Sequence, residues 1–147
     1  MKRVISFGLA SIAAAALIAG YAVAADDYMA QREALMKDNG AQATIAGKMA
    51  QGATPFDAAA AKAAMEKIAA NAAATPALFP PGSEGGDALP AIWENFADFE
   101  AKAMAMKAAS EAAAAAADQG LEAFGPAFAA VGQSCGGCHQ VYRKPQG

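Results

Sequence analysis

The stretch LEAFGPAFAAVGQSCGGCHQVY, Leu121–Tyr142, decides how this chain is to be read. Its positions Leu121, Phe124, Phe128, Val131, Cys135, Cys138 and Tyr142 recur in steps of three and four, the stepping of one helix face. Pro126 falls inside it, so the regular helix either starts there or is kinked there. Cys135-Gly136-Gly137-Cys138-His139 holds both cysteines and the only histidine of the sequence. C-x-x-C-H is the attachment pattern of c-type haem. Two thiols three positions apart can add across the two vinyl groups of one porphyrin, and the neighbouring imidazole can serve the iron as an axial ligand. A helix sets Cys135 and His139, four residues apart, on one face.

Three other chemistries use such residues. A zinc site wants about four Cys or His ligands, and this chain offers three in one short segment. A thioredoxin-like redox pair belongs at the start of a helix in a βαβ pattern, and no strand-like alternation precedes Cys135. A structural disulfide this local would constrain very little chain. Covalent haem is the expectation that uses all three side chains.

Working back from that stretch, Asp118-Gln119-Gly120 breaks a longer helical pattern. In it Ile92, Phe96, Phe99, Ala103, Met106, Ser110, Ala113 and Ala117 alternate steps of four and three. Pro90 sits early in that third helix, where its missing N–H costs nothing, and Asp87 is placed as its N-cap. The segment from Phe79 to Asp87 holds too much Pro and Gly for regular structure. Before it, Thr54-Pro55-Phe56-Asp57 reads as the start of a second helix, with Thr54 as cap and Pro55 at the first helical position, running to about Ala74. A first helix is expected from Asp26 to Gln51, stopping at Gly52. Four helices with short connections imply an all-α, antiparallel up-down four-helix bundle with a cofactor between facing helices.

Composition agrees. Alanine makes up nearly a third of the chain, and alanine is the strongest helix former. Bulky apolar side chains are few, so a buried macrocycle would supply volume that the side chains do not. Lys2 and Arg3, the apolar run Val4 to Ile18 and the small-residue ending Ala22-Val23-Ala24 read as a cleaved export signal over residues 1–24. The rival is an uncleaved anchor, since the run approaches the ~20 residues that span a bilayer. Residues 25–147 then form one domain. The whole chain carries −3, with Lys+Arg 11 against Asp+Glu 14, and loses two of those positives with the leader. That balance argues against nucleic acid as a partner.

The chain resembles the class II cytochromes c, the cytochrome c′ family. The resemblance rests on the C-terminal position of Cys135–His139, the following Tyr142-Arg143-Lys144, the loop Glu84-Gly85-Gly86-Asp87 leading to Ile92-Trp93, and Arg32 followed by Leu35-Met36-Lys37-Asp38-Asn39-Gly40. It implies one covalent haem c held by thioethers to Cys135 and Cys138, with His139 as the proximal iron ligand. Arg143 would stand beside that ligand and Arg32 beside the haem propionates. Glu33 follows Arg32, where the family often has glutamine, and a carboxylate there would repel propionates. Met36 matches the position that holds methionine in the low-spin branch and a non-ligating residue in the five-coordinate branch.

Helical spacing puts Met36 one turn from Arg32 on the same face. Methionine is also a common core filler, and Met29, Met49, Met65, Met104 and Met106 are alternatives. Trp93, Phe96, Phe99, Phe124 and Phe128 read as core and pocket packing, and Tyr28 and Tyr142 as residues that could reach a propionate or solvent. The expected function is a periplasmic electron carrier with His/Met-ligated iron, serving redox partner proteins and carrying no stable membrane anchor once the leader is removed. It would be a monomer or homodimer. The alternative is a five-coordinate protein that binds or sequesters nitric oxide or carbon monoxide. A peroxidase-like enzyme lacks a second histidine for acid–base work, so no catalytic activity is expected.

Overall fold

The computed structural model describes residues 12–145, with side chains from residue 27 onward. The expected leader, 1–24, lies outside the described side chains. Helix α1 spans Ile12–Ala50, starting earlier than Asp26 because the alanine-rich stretch continues the helical backbone. It ends in a Schellman motif: Gly52, at φ 72°, donates its N–H to Met49 O (3.1 Å), and Ala53 donates to Lys48 O (2.8 Å). Glycine suits this left-handed position because it has no Cβ.

Helix α2 spans Ala58–Ala74, and its cap differs from expectation. The N-cap is Asp57, not Thr54; its carboxylate accepts from Ala60 N at 3.0 Å. Pro55 therefore belongs to the connection. Asp57→Ala should lower stability by about 1 kcal/mol, read as a drop in thermal midpoint.

A 3-10 turn, Thr75–Leu78, leads into the irregular segment that ends at Pro90. The third helix is two pieces rather than one. Short α3, Ala91–Glu94, is separated from α4, Phe96–Ala117, by Asn95 at φ −128° and ψ 47°. The N-cap position of α3 is Pro90, not Asp87, and the carbonyl of Asp87 accepts from Lys144 N at 2.8 Å. Helix α5 spans Leu121–Tyr142 and starts before Pro126, which is tolerated inside the helix.

Helices α1, α2, α4 and α5 form the bundle, with α2 against α4 and α4 against α5 as its most extensive pairs. Two apolar clusters fill it. The larger is built on Ala46, Met65, Ile68, Ala113, Phe124 and Val131. The smaller joins Phe79, Ile92, Phe99 and Tyr142. Most of the α4 seam faces inward as expected, Ser110 included, whose hydroxyl is satisfied by donating to Met106 O. Phe96 and Leu121 are more than a third exposed, because each sits at the first residue of its helix, beyond the layer that the seam covers. Among the described residues no helix is long and apolar enough to cross a membrane, and the only strand-like pairing is a single bridge between Ala88 and Arg143.

Candidate haem site

The Cys135–His139 motif lies wholly within the last turns of α5. Cys135 packs against the larger cluster, with its Sγ 3.9 Å from Met106 Sδ, while Cys138 packs against the smaller one. The two thiols thus straddle the boundary between the clusters. Both are free and partly buried. Burial pushes both above the ordinary thiol range. A redox-active C-x-x-C pair depends on the opposite shift, usually at a helix N-terminus. Among the described residues no group of three or more Cys, His, Asp and Glu side chains could hold a metal ion.

Burial, then the nearby Arg143 charge, hold the His139 imidazole below its ordinary pKa. That direction favours the neutral ring, the form able to bind iron. Arg143 follows the helix in extended conformation, its N–H donating to His139 O at 3.1 Å. The chain beyond is strapped to the irregular segment: Leu89 N donates to Tyr142 O (3.0 Å) and Lys144 Nζ to Gly86 O (2.6 Å). The loop Glu84–Asp87 is fitted to α1 as well. A Cβ on Gly85, at φ 139°, would stand 2.7 Å from Met29 Sδ, so only glycine suits that position.

Tyr142 is buried beside Cys138 in the smaller cluster, edge-on to Phe99, and donates its O–H to Asp98 Oδ2 at 2.6 Å. Asp98 was not singled out by the sequence pattern, because an exposed acid in the first turn of a helix looks like an ordinary dipole partner. The bond to Asp98, then burial, push the phenol from 10.0 up to about 12. A raised pKa means that the fold prefers the neutral phenol. Its contribution is complete below pH 10 and is lost as pH rises through 12. Urea midpoints should therefore fall between those limits, and Tyr142→Phe should flatten that fall.

Arg32 is buried, 7 % exposed. Its Nε donates to Leu78 O (2.8 Å), and its Nη2 to Ser83 O (2.7 Å) and to the Ser83 hydroxyl. The guanidinium lies 4.1 Å from the Phe79 ring centroid and 5.5 Å from that of Trp93, whose indole N–H donates to Pro80 O. Nη1 is buried without a hydrogen-bond partner. Glu33 points elsewhere, paired with Lys37 at 2.8 Å on the exposed side of α1.

Met36 is 38 % exposed and belongs to neither apolar cluster. Four of the other five described methionines differ from it. Met29 packs on Gly85, Met49 and Met65 are buried in the larger cluster, and Met106 contacts Cys135. Met104 is exposed on α4. A surface groove of about 350 Å³ lies between α1 and α5 at Gly47 and Phe128 and does not include the motif.

These residues fit a covalently held haem. Two half-buried thiols lie three positions apart on α5, an imidazole follows them, and the buried Arg32 Nη1 lacks the acceptor that a propionate supplies. When bound, the haem supplies a one-electron ferric/ferrous couple or an iron that takes a diatomic gas.

A model of the family described as Cytochrome C' matches residues 27–143. The chain is 43% identical over 128 residues to a cytochrome c-556 of Agrobacterium fabrum, covering 86% of this chain and 87% of that protein. It is 44% identical over 95 residues to a cytochrome c' of Alcaligenes xylosoxydans xylosoxydans, covering 64% and 75%. Among solved structures, a nitric oxide complex of a variant of cytochrome c prime from Alcaligenes xylosoxidans superposes with TM-score 0.78 at 35% identity, over 83% of this chain and 97% of that one. With the helical bundle, the motif on its last helix and these likenesses in agreement, the chain belongs to the cytochrome c′ family of haem c proteins.

Proposed function

We propose that this protein is an exported, periplasmic electron carrier whose iron is held by His139 and Met36, with the leader removed near Ala24. The observation that carries the reading is the placement of Met36. It shares a helix face with Arg32, whose orphaned Nη1 is suited to a propionate, and its thioether is not consumed by either apolar cluster. His139 would offer a ring nitrogen to the iron, and Cys135 and Cys138 would hold the macrocycle on α5. Met/His ligation raises the reduction potential. Because both ligands stay in place in either oxidation state, the protein has little to reorganise. Electrons would pass to docked redox proteins.

A second reading, five-coordinate binding of nitric oxide or carbon monoxide, has its own support. Met36 is not held in a packed position, and several of the similar solved structures are described as nitric oxide or carbon monoxide complexes. One absorption spectrum of the ferric holoprotein at neutral pH separates the two. The expected result is low-spin haem with a methionine-to-iron charge-transfer band; a high-spin spectrum would overturn the His/Met assignment.

A further inference from the structure

Met36 is flanked on α1 by the only two buried side chains, among the described residues, that keep a hydrogen-bonding atom without a partner: Arg32, one turn before, and Asn39, one turn after. Arg32 is anchored to the irregular segment. Asn39 is anchored to α2. The Asn71 amide of α2 uses its two N–H groups across the helix interface, donating to Asp38 Oδ2 at 2.7 Å and to Asn39 Oδ1 at 2.9 Å. Gln42 Nε2 donates to Asp38 Oδ1 at 3.2 Å, and Lys67 Nζ stands 3.6 Å from Asp38 Oδ2. Asp38 and Asn39 of α1 are thereby tied to Lys67 and Asn71 of α2 by polar contacts. The apolar packing of α1 against α2 comes further along, at Ala46 and Met49.

A methionine side chain has three rotatable bonds and cannot by itself hold its sulfur at one place. At this turn no apolar cluster holds it either. Whatever fixes the thioether must act on the helix that carries it. We propose that Asn71 is a positioning residue: by gripping Asp38 and Asn39 it sets the rotation and height of the Met36 turn, and so decides whether Met36 reaches the iron. The inference rests on the His/Met reading above and goes beyond it in naming a residue on a different helix, with no haem contact assigned to it, as the determinant of coordination. Loss of the grip leaves the bundle standing on its apolar clusters while Met36 spends part of its time away from the iron.

The test uses the full holoprotein, with carbon monoxide as the probe of an open site. Asn71→Leu removes both donors while keeping the same branching of the side chain. It should weaken the charge-transfer band, add high-spin character to the ferric spectrum and speed carbon monoxide association with the ferrous protein by at least about tenfold, as expected when the competent fraction rises by that factor. Asp38→Ala removes one arm of the grip from a partly exposed position and should move the same readouts less far. Asp38→Asn keeps an acceptor oxygen and should leave them unchanged. A purely structural role would lower the melting temperature of Asn71→Leu while sparing the band and the carbon monoxide rate. If wild type is low-spin and the folded variants, Asn71→Leu or else Asp38→Ala alone, keep the wild-type band and rate, the positioning role is wrong and the His/Met reading stands. If wild type is itself high-spin, both fall.

Discussion

Replacing Met36 with alanine should convert the ferric protein from low spin to high spin, with loss of the methionine-to-iron charge-transfer band. Alanine leaves no atom able to ligate, and four of the five remaining described methionines are placed for other work. Met49 and Met65 are buried among Ala46, Ala61 and Ile68, and Met29 lies on the Gly85 backbone. Carbon monoxide association with the ferrous variant should rise by about a hundredfold, as expected if the native site is open about 1% of the time. Stability should change little, because a side chain 38 % exposed loses only part of the apolar contact that a core methionine would.

The control lies on α4. Met106, with its sulfur beside Cys135, is the rival ligand nearest to the attachment site. Met106→Leu conserves volume and should leave the spectrum as it is. A low-spin Met36→Ala paired with a high-spin Met106→Leu would move the ligand to α4 and refute the assignment. Both low-spin would direct the search to Met104.

How much of this was legible beforehand follows from the range of the interactions involved. The motif, the helix faces and the α1 stop at Gly52 are local, set by spacings of three and four and by one residue able to adopt positive φ. They read directly from the chain. The start of α2 was misplaced because Thr54-Pro55 and Asp57 both carry cap chemistry. Which one wins depends on whether the carboxylate reaches Ala60 N, and it does. The break at Asn95 was hidden because the seam of threes and fours runs through it undisturbed. Only the backbone shows that α3 is drawn aside, where Trp93 bonds Pro80 O and Ile92 joins Phe79. Asn71, Ser83 and Asp98 could not be singled out, and Lys144 stood out only through the resemblance. Each acquires its role from a partner 33 to 58 residues away, and their residue types are those of any solvated surface.

Replacing Arg32 with leucine should cost about 3–5 kcal/mol and separately lower the reduction potential. The first effect follows from what is left behind. Leu78 O and Ser83 O lose charge-assisted donors, and each buried acceptor stranded without a partner costs about 1–3 kcal/mol. The stacking on Phe79 and Trp93 goes too, loosening the segment that carries Ser83 and Gly85. Arg32 offsets part of this, since burial holds its guanidinium below the ordinary range and leucine has no charge to desolvate. The second effect is electrostatic. If Nη1 meets a propionate, its removal strips positive charge from the haem edge, favours the ferric state and moves the potential downward. Arg32→Lys separates the two, because a lysine keeps the charge but cannot reproduce the planar fork that serves Leu78 and Ser83 together. It should lose most of the stability in urea unfolding while holding the potential near the wild-type value in spectroelectrochemistry. A potential unchanged in Arg32→Leu would place the propionates elsewhere and leave Arg32 as an anchor of the fold alone.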